Sequence, residues 1–157
     1  MGKYREESNL NAICANLQSF SNKKREIELL VAAESYDLLF FTEIWYNVEQ
    51  HDTSELFLGG FQCPLISPAR RGGACAFIRE GLNFIPVEPP EKVSESVWFS
   101  MQTIDKANRL YGCIYRSPNS TEENNQKLLK NIFWAKENFS ELILIGFDLT
   151  CHLSTGI

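Results

Sequence analysis

The chain has 157 residues, of which 44% are hydrophobic and 22% are charged, and its formal net charge is -5. Disorder throughout is excluded, because 11 Phe, 3 Trp and 5 Tyr form more apolar surface than an unfolded chain leaves in water. The negative charge excludes a protein that coats nucleic acid through an excess of Lys and Arg. One domain with its own core is the expected organisation.

The sequence contains no signal for membrane insertion or secretion. No stretch approaches the roughly 18 consecutive apolar residues that a membrane span needs, and the polar residues 1–7 do not resemble a secretory signal. The five cysteines are odd in number and include no C-x-x-C pair, which argues against a disulfide framework and a cysteine zinc site. We therefore expect an intracellular protein, nuclear or cytoplasmic, that is not secreted and does not contact a membrane.

The first third of the chain predicts a strand–helix–strand unit. An apolar run over 10–15 predicts a strand that stops at Asn16, and Ser21 is placed to cap a helix over about 22–35. The next run, 36–42, is continuously apolar, as is typical of a strand buried on both faces. Because the connections are short, the two strands are expected to be neighbours in one sheet.

The middle of the chain predicts β-structure. Four runs bounded by Gly, Pro or polar turns have the length and composition of strands: 74–78, 82–87, 97–104 and 110–115. The first two runs are joined by Glu80-Gly81, which predicts a tight turn and therefore a hairpin.

The last third predicts one helix and one strand. Ser120 and Glu123 have the spacing of a capping box, which opens a helix over about 121–137. A final buried strand is expected at 142–145. Strands that alternate with helices, with no repeat or linker between them, predict a single α/β domain.

Polar residues follow four of the predicted strands. They are Asn16, Glu43, Tyr115 and Asp148. In α/β sheets the ligand crevice lies at the carboxyl ends of the strands, so these residues can converge on one site. Each also has a structural explanation: Glu43 can pair with a cation, Asn16 can cap a turn, and Tyr115 can belong to the core. The residue types alone leave both explanations open.

Two adjacent arginines, Arg70 and Arg71, precede the pair Gly72-Gly73. A guanidinium group binds phosphate well, so the two arginines could contact a nucleic-acid backbone. Two arginines on a surface can equally be solvated without a partner. The sequence leaves this choice open as well.

Five segments, taken in order, resemble one protein family. They are 16–23 (NLQSFSNK), 37–45 (DLLFFTEIW), 71–81 (RGGACAFIREG), 95–98 (ESVW) and 115–120 (YRSPNS). The corresponding family motifs are N-x-R-S-L-x-N-K, D-x-x-x-x-T-E-T-W, G-G-G-V-A-x-Y-V-R-E-G, E-x-x-W and Y-R-P-P-N-S. The chain thus resembles the endonuclease/exonuclease/phosphatase family, specifically the apurinic-endonuclease-like domain of LINE-type (non-LTR) retrotransposons.

The resemblance implies a fold, a reaction and a set of functional residues. The fold is a four-layer α/β sandwich, and the reaction is hydrolysis of DNA phosphodiesters with Mg²⁺ or Mn²⁺. By resemblance, Glu43 would be the metal ligand and Asn16 would assist the metal and the phosphate. Tyr115 would donate a hydrogen bond to the scissile phosphate, and Asn119 would lie near the site.

Two departures from the family pattern predict an impaired enzyme. The family continues its last matched strand as I-G-D-F-N-x-P, whereas Gly146 is followed here by Phe147 and Asp148. Without a gap, Phe147 occupies the position of the catalytic Asp and Leu149 that of the Asn; with a one-residue gap, 147–149 match F-N-L and the catalytic Asp is absent. Asp148 is the remaining candidate for that role. The family also ends with a Ser-Asp-His motif, and neither His51 nor His152 lies in such a motif.

These observations predict a single incomplete domain over residues 1–157, matched over about 10–150. Its expected fold is α/β, a partial four-layer α/β sandwich that lacks its C-terminal strands. Its expected function is that of a Mg²⁺-dependent phosphodiester-cleaving endonuclease of retrotransposon origin, catalytically impaired in this chain, with DNA as the substrate if it is active. The alternatives are a non-catalytic retrotransposon remnant and a binding module that uses the remaining scaffold. The sequence predicts no oligomeric state.

Overall fold

The computed structural model describes residues 10–49, 52–103 and 105–147. In these ranges the elements follow the order β1 Ala12–Asn16, α1 Phe20–Ala33, β2 Leu38–Thr42, a short 3₁₀ helix Thr53–Leu56, β3 Leu65–Ser67, β4 Ala74–Ile78, β5 Ile85–Pro86, β6 Ser96–Gln102, β7 Asn108–Tyr115, α2 Glu122–Asn138 and β8 Glu141–Phe147. Neither α-helix of the described chain is long and apolar enough to span a membrane.

The strands form two sheets of four, and each sheet mixes parallel and antiparallel pairs. The first has the order β1-β2-β4-β3, and the second has the order β5-β6-β7-β8. Strands β1 and β2 are parallel neighbours joined through α1, which confirms the predicted strand–helix–strand unit. Strands β7 and β8 repeat this arrangement through α2. In both parallel pairs, the helix that connects the two strands covers one face of their sheet.

Helix α1 packs on the outer face of the first sheet. Phe20 and Ile27 are its buried residues, and they lie in one core with Leu39 and Phe41 of β2. The ring of Phe20 contacts that of Phe41 at a centroid distance of 6.3 Å. Alternate residues of a strand point to opposite faces, so this core uses only every second position of β2.

The other positions of β2 fill the core between the two sheets. Leu38 and Phe40 pack there with residues of β6 and β7. The rings of Phe40, Phe99 and Tyr111 form a stacked group with centroid distances of 5.0 to 6.0 Å. The prediction of a strand buried on both faces is therefore confirmed, because β2 lies between two cores.

Helix α2 covers the outer face of the second sheet. Leu128 and Ala135 of the helix are buried against Leu110 and Ile114 of β7. The four layers are thus α1, the first sheet, the second sheet and α2. The predicted four-layer α/β sandwich is confirmed as the architecture of the described chain.

The predicted hairpin between 74–78 and 82–87 is wrong. Strand β4 is already paired on both sides, with β2 and with β3, so it offers no free edge to a further strand. Beyond the turn at Gly81 the chain crosses to the other sheet, where Ile85 and Pro86 pair with β6. Pro86 has no N–H, which suits an edge strand.

Both helices begin at a cap other than the predicted one. The hydroxyl oxygen of Ser19, rather than that of Ser21, accepts a hydrogen bond from Asn22 N at 3.3 Å. Thr121, rather than Ser120, caps α2. In each case an alternative hydroxyl residue lies one or two positions away, and the backbone geometry selects between them.

Strand β1 forms an edge of the first sheet, and one of its faces is open. Ala12, Cys14 and Asn16 share the side of the sheet that faces the second sheet, yet they are exposed. Strand β8 is the last described strand of the opposite sheet, and no described strand beyond it covers β1. Asn16 is therefore accessible at the end of its strand.

Candidate active site

The site is formed where one strand from each sheet ends. Glu43 directly follows β2 of the first sheet, and Tyr115 is the last residue of β7 in the second sheet. The phenol hydroxyl of Tyr115 donates a hydrogen bond to Glu43 Oε1 at 2.7 Å. Two residues that are 72 positions apart in the sequence are thus brought into direct contact, as their expected shared site requires.

Glu43 is half-buried, and its surroundings test whether it pairs with a cation, which the sequence left open. Within the described ranges, no Lys or Arg lies at ion-pair distance from its carboxylate. Tyr115 is only 8% exposed, but its hydroxyl points to Glu43 instead of ending in the core. Glu43 is therefore not explained as half of a salt bridge within this part of the chain.

The backbone around Glu43 has a conformation that non-glycine residues rarely adopt. Glu43 and Trp45 both have φ of 50°, in the left-handed region. Such residues cost about 1–3 kcal/mol each and persist only where surrounding contacts hold them. Here Glu43 N donates to Gly73 O at 2.9 Å, and Trp45 N donates to Gly72 O at 3.0 Å. The turn at residues 72–73 thus maintains the conformation of the Glu43 segment.

Glycine is required at position 72 of this turn. Gly72 has φ of +134°, and a Cβ at this position would lie 2.1 Å from Glu95 Oε1 and 3.1 Å from Tyr115 Cε1. The same Glu95 Oε1 accepts a hydrogen bond from Gly73 N at 2.8 Å. The Gly-Gly pair therefore lets the backbone approach the side chains of the site closely.

Glu95 is a second carboxylate beside Glu43, and its sequence pattern alone predicts no role for it. It is half-buried, and burial is the main cause that raises its pKa. The hydrogen bond from Gly73 acts in the opposite direction, while the nearby charge of Glu43 raises the pKa further. In the sequence, Glu95 belongs to the E-x-x-W segment. Its function there cannot be predicted, because its partner is the backbone N–H of Gly73.

Asn119 lies in the loop that follows β7 and lines a cavity of about 150 Å³ together with Glu95 and Tyr115. Ser117, Ser120, Thr121 and other polar residues complete the lining. The structure thus places Asn119 in the lining of the same cavity as Tyr115. Its role stays a prediction.

Asn16 occupies the neighbouring strand end. It pairs in register with Thr42, the residue before Glu43, so it lies one strand away from the carboxylate. The Thr42 hydroxyl oxygen is fully buried and has no hydrogen-bond partner among the described residues. Since buried polar atoms are nearly always paired, this oxygen marks a position that a water molecule or a ligand would satisfy.

Asp148, the fifth residue expected at the site, lies outside the described residues. Strand β8 ends at Phe147, which is the register partner of Tyr115. The β8 position beside Tyr115 is therefore occupied by Phe.

The donor atoms collected here suit a hard divalent cation. Glu43 supplies carboxylate oxygen and Asn16 supplies amide oxygen, and Mg²⁺ prefers one or two carboxylates completed by water. No group of three or more His, Cys, Asp and Glu side chains with metal-site geometry occurs among the described residues. A carboxylate, with an amide oxygen one strand away, fits Mg²⁺ or Mn²⁺, which proteins bind through oxygen.

Arg71 is a cation that directly precedes the Gly72-Gly73 turn. The guanidinium carbon of Arg71 lies 5.8 Å from the centroid of the Trp45 ring, a cation–π geometry. Trp45 is attached to the site because its backbone N–H is bonded to Gly72, and Arg71 precedes Gly72 in the chain. Arg71 is exposed, so its donors are accessible at the rim of the site.

Solved structures match this chain, whereas neither a protein-family model nor a curated protein matches its sequence. The AP endonuclease LMAP from Leishmania major has a TM-score of 0.69 at 14% identity, over 87% of this chain and 54% of that chain. The catalytic domain of Xenopus laevis APE2 has a TM-score of 0.66 at 10% identity, over 86% and 57%. The endonuclease domain of TRAS1, a telomere-specific non-LTR retrotransposon, has a TM-score of 0.61 at 17% identity, over 88% and 58%.

This chain has the AP-endonuclease-like fold. The resemblance inferred from the five sequence segments is thus confirmed at the level of the fold. The chain spans a little over half the length of these matched structures.

Proposed function

We propose that this protein binds a DNA phosphodiester with Mg²⁺ or Mn²⁺ at the Glu43–Tyr115 site and cleaves it slowly. The observation that supports this most is the 2.7 Å hydrogen bond between Tyr115 and Glu43, which joins the ends of two sheets at one point. The matched proteins whose names identify them as endonucleases, from Leishmania major and from TRAS1, share this fold.

The residues of the site have separate roles in this proposal. The carboxylate of Glu43 and the amide oxygen of Asn16 hold the cation, which when bound neutralises charge that develops on the phosphate. The phenol of Tyr115 donates its hydrogen bond to a phosphate oxygen, exchanging one anionic acceptor for another. Arg71 contacts a neighbouring phosphate from the rim, and Asn119 lines the cleft beside Tyr115.

Slow turnover is proposed because of the residue at the end of β8. Hydrolysis needs a group that orients or deprotonates the attacking water, and a carboxylate is the usual choice. Phe147 holds the register position beside Tyr115 and cannot accept a proton. Glu95 uses one carboxylate oxygen to accept from Gly73 N, and in this proposal it holds the turn instead of activating water.

The same observation favours one alternative, which is a binding module without turnover. If no residue activates water, the cation and the basic rim still bind a phosphodiester. Binding without cleavage is then the expected behaviour. The two functions differ only in whether the bound strand is cut.

Nicking of supercoiled plasmid in Mg²⁺ or Mn²⁺ tests the proposal. We expect slow nicking by the wild-type protein, and we expect Glu43→Gln to reduce it by about 100-fold or more, because several kcal/mol of charge stabilisation are lost. Phe147→Asp adds a carboxylate at the β8 end and should raise the rate by about 10-fold or more.

Glu137→Gln is the matched control. Glu137 is exposed and lies in the last turn of α2, at the end of the helix opposite to the cap that lines the cleft. It should nick at the wild-type rate. Wild-type nicking no faster than that of Glu43→Gln would reject the enzyme, and DNA binding retained in that case would establish the binding module.

A further inference from the structure

We propose that Glu95 is a positioning residue for the Glu43–Tyr115 pair, acting through the turn at Gly72-Gly73. This inference rests on the proposed function, in which that pair contacts the cation and the phosphate. Glu95 itself touches neither group in this scheme. Its hydrogen bonds fix the backbone positions of the segments that contain Glu43 and Tyr115.

The side chain of Glu95 contacts the backbone of the Gly72-Gly73 turn. Its Oε1 accepts the hydrogen bond from Gly73 N at 2.8 Å, and it would lie 2.1 Å from a Cβ at position 72. The contact is therefore made to the backbone itself, at a position where no side chain intervenes. A half-buried oxygen at this distance limits the movement of both glycines.

The turn passes this constraint to the segment of Glu43. Gly73 O accepts from Glu43 N, and Gly72 O accepts from Trp45 N. Both acceptors therefore stabilise residues with φ of 50°. Left-handed residues relax when the contacts that hold them are lost, so Glu43 depends on the position of the turn.

The backbone of Glu95 constrains the other member of the pair. Its carbonyl oxygen accepts a hydrogen bond from Tyr115 N at 2.9 Å, and Glu95 also has a left-handed φ of 56°. Glu95 thus bonds to the Tyr115 backbone through its own main chain, and through its side chain to the turn that in turn bonds to the Glu43 segment. The 2.7 Å hydrogen bond between Tyr115 and Glu43 therefore joins the two segments that Glu95 holds.

The role needs a hydrogen-bond acceptor rather than a charge. A glutamine at position 95 keeps a carbonyl oxygen for Gly73 N, whereas an alanine removes the acceptor altogether. A residue that acted as a metal ligand or as a base would lose its function in both variants. The two substitutions therefore separate positioning from direct chemistry.

The first measurement is steady-state nicking of plasmid DNA in Mn²⁺ by the full chain. We expect Glu95→Ala to lower kcat about 10- to 100-fold with KM for DNA unchanged, since small misplacements of reacting groups have effects of this size. Glu95→Gln should stay within about 3-fold of the wild-type kcat. Equal losses in both variants would overturn the proposal.

The second measurement needs no turnover. In protein labelled with ¹³C at tyrosine Cζ, the Tyr115 resonance reports the hydrogen bond to Glu43. It should shift in Glu95→Ala and stay at the wild-type position in Glu95→Gln, while the exposed control Glu88→Ala leaves it unchanged. A Tyr115 resonance that does not move in Glu95→Ala would overturn the positioning role.

The two measurements also separate this inference from the proposed function. If the wild-type protein does not nick DNA, the proposed enzyme activity is rejected, and the Tyr115 resonance still tests the positioning role of Glu95. If the wild-type protein nicks DNA and Glu95→Ala nicks it equally fast, the positioning role is rejected and the proposed activity is retained. Circular dichroism of each variant confirms that the fold is retained in the samples compared.

Discussion

At the scale of single residues, Arg71 is the side chain through which, in the proposed function, a chain with a net charge of -5 contacts phosphate. The guanidinium lies over the ring of Trp45, whose backbone N–H is bonded to Gly72 O. A planar cation held on a ring is pre-organised, so less rotamer freedom is lost when it binds phosphate. Arg70, its neighbour, is also exposed and has the same charge. The local arrangement, and not the total charge, distinguishes the two arginines.

Arg71→Gln should weaken DNA binding and lower its dependence on salt. Each phosphate contact contributes about 0.9 to the slope of log K against log salt for a duplex, so the slope should fall by about one. Fluorescence anisotropy of a labelled duplex, titrated at several salt concentrations with EDTA present, measures this slope without cleavage.

Arg70→Gln is the matched control for this titration. It removes the same charge one residue away from the ring contact, and its slope should stay near that of the wild-type protein. Equal changes in the two variants would show that only net charge matters. Arg71 would then have no specific place at the phosphate.

At the scale of elements, the turn at Gly72-Gly73 is the connection on which the site depends. It lies just before β4, and it bonds to the Glu43 segment on one side and to Glu95 on the other. A turn with these contacts cannot be replaced by a generic loop, because its backbone is itself a partner in the hydrogen bonds.

Gly72→Ala should destabilise the fold and abolish nicking. The new methyl group has no room beside Glu95 Oε1, and φ of +134° is unfavourable for alanine. We expect the free energy of unfolding to fall by about 1–3 kcal/mol in urea titrations. Nicking should be lost under conditions where the variant is still folded.

Gly59→Ala is the control for the turn substitution. No atom lies within 4 Å of a Cβ built at Gly59, so the variant should be as stable as the wild type or more stable by less than about 1 kcal/mol. Comparable losses in both variants would mean that any glycine replacement in this domain is harmful. The special role of position 72 would then be refuted.

Which elements formed could be predicted from the sequence, but part of their pairing could not. The apolar run of β2 and the strand–helix–strand unit around α1 were confirmed, because continuous burial and short connections are local properties. The predicted hairpin after β4 was wrong, since both edges of β4 were already occupied, one by β2 and the other by β3, the strand that precedes it. Local turn residues such as Gly81 do not report on such competition.

At the scale of the whole molecule, the sandwich buries thiols in two of its cores. Cys75 lies in the core under α1, and Cys113 lies between the sheets. Burial raises the pKa of both thiols well above the ordinary value of 9.0. For Cys75 the nearby Cys113 raises the pKa further, and a hydrogen bond to the Phe41 backbone lowers it.

This burial predicts that stability falls at alkaline pH. The folded state keeps both thiols protonated, while the unfolded state ionises them above about pH 9, so unfolding releases protons there. The stabilising contribution is complete below pH 9 and is lost as pH rises above it. Each thiol should cost about 1.4 kcal/mol per pH unit in this range. Urea unfolding between pH 7 and 10.5 measures the slope.

Variants assign the alkaline slope to individual thiols. Cys113→Ala should be less steep than the wild type by the contribution of one thiol, whatever its stability at neutral pH. Cys63→Ala should keep the wild-type slope, because Cys63 is exposed. If Cys113→Ala and the wild type show parallel curves above pH 9, Cys113 is not protected by the folded core.

The sequence by itself supplied the candidate residues of the site. The carboxylate after an apolar strand and the Tyr-Arg-Ser-Pro-Asn-Ser segment are local patterns, and their resemblance to family motifs made Glu43, Tyr115 and Asn119 candidates. The fold class followed in the same way, because alternating strands and helices leave few architectures that bury both faces of a sheet.

Only the tertiary structure decided that these residues meet and what holds them. The 2.7 Å bond from Tyr115 to Glu43 joins two sheets, and Glu95 gained its place through a contact with the backbone of a turn. A hydrogen bond to a backbone atom cannot be recognised from residue types. The distance between side chains on two different sheets depends on how the cores pack. The chemistry of the site was therefore encoded locally, whereas its geometry arose from packing.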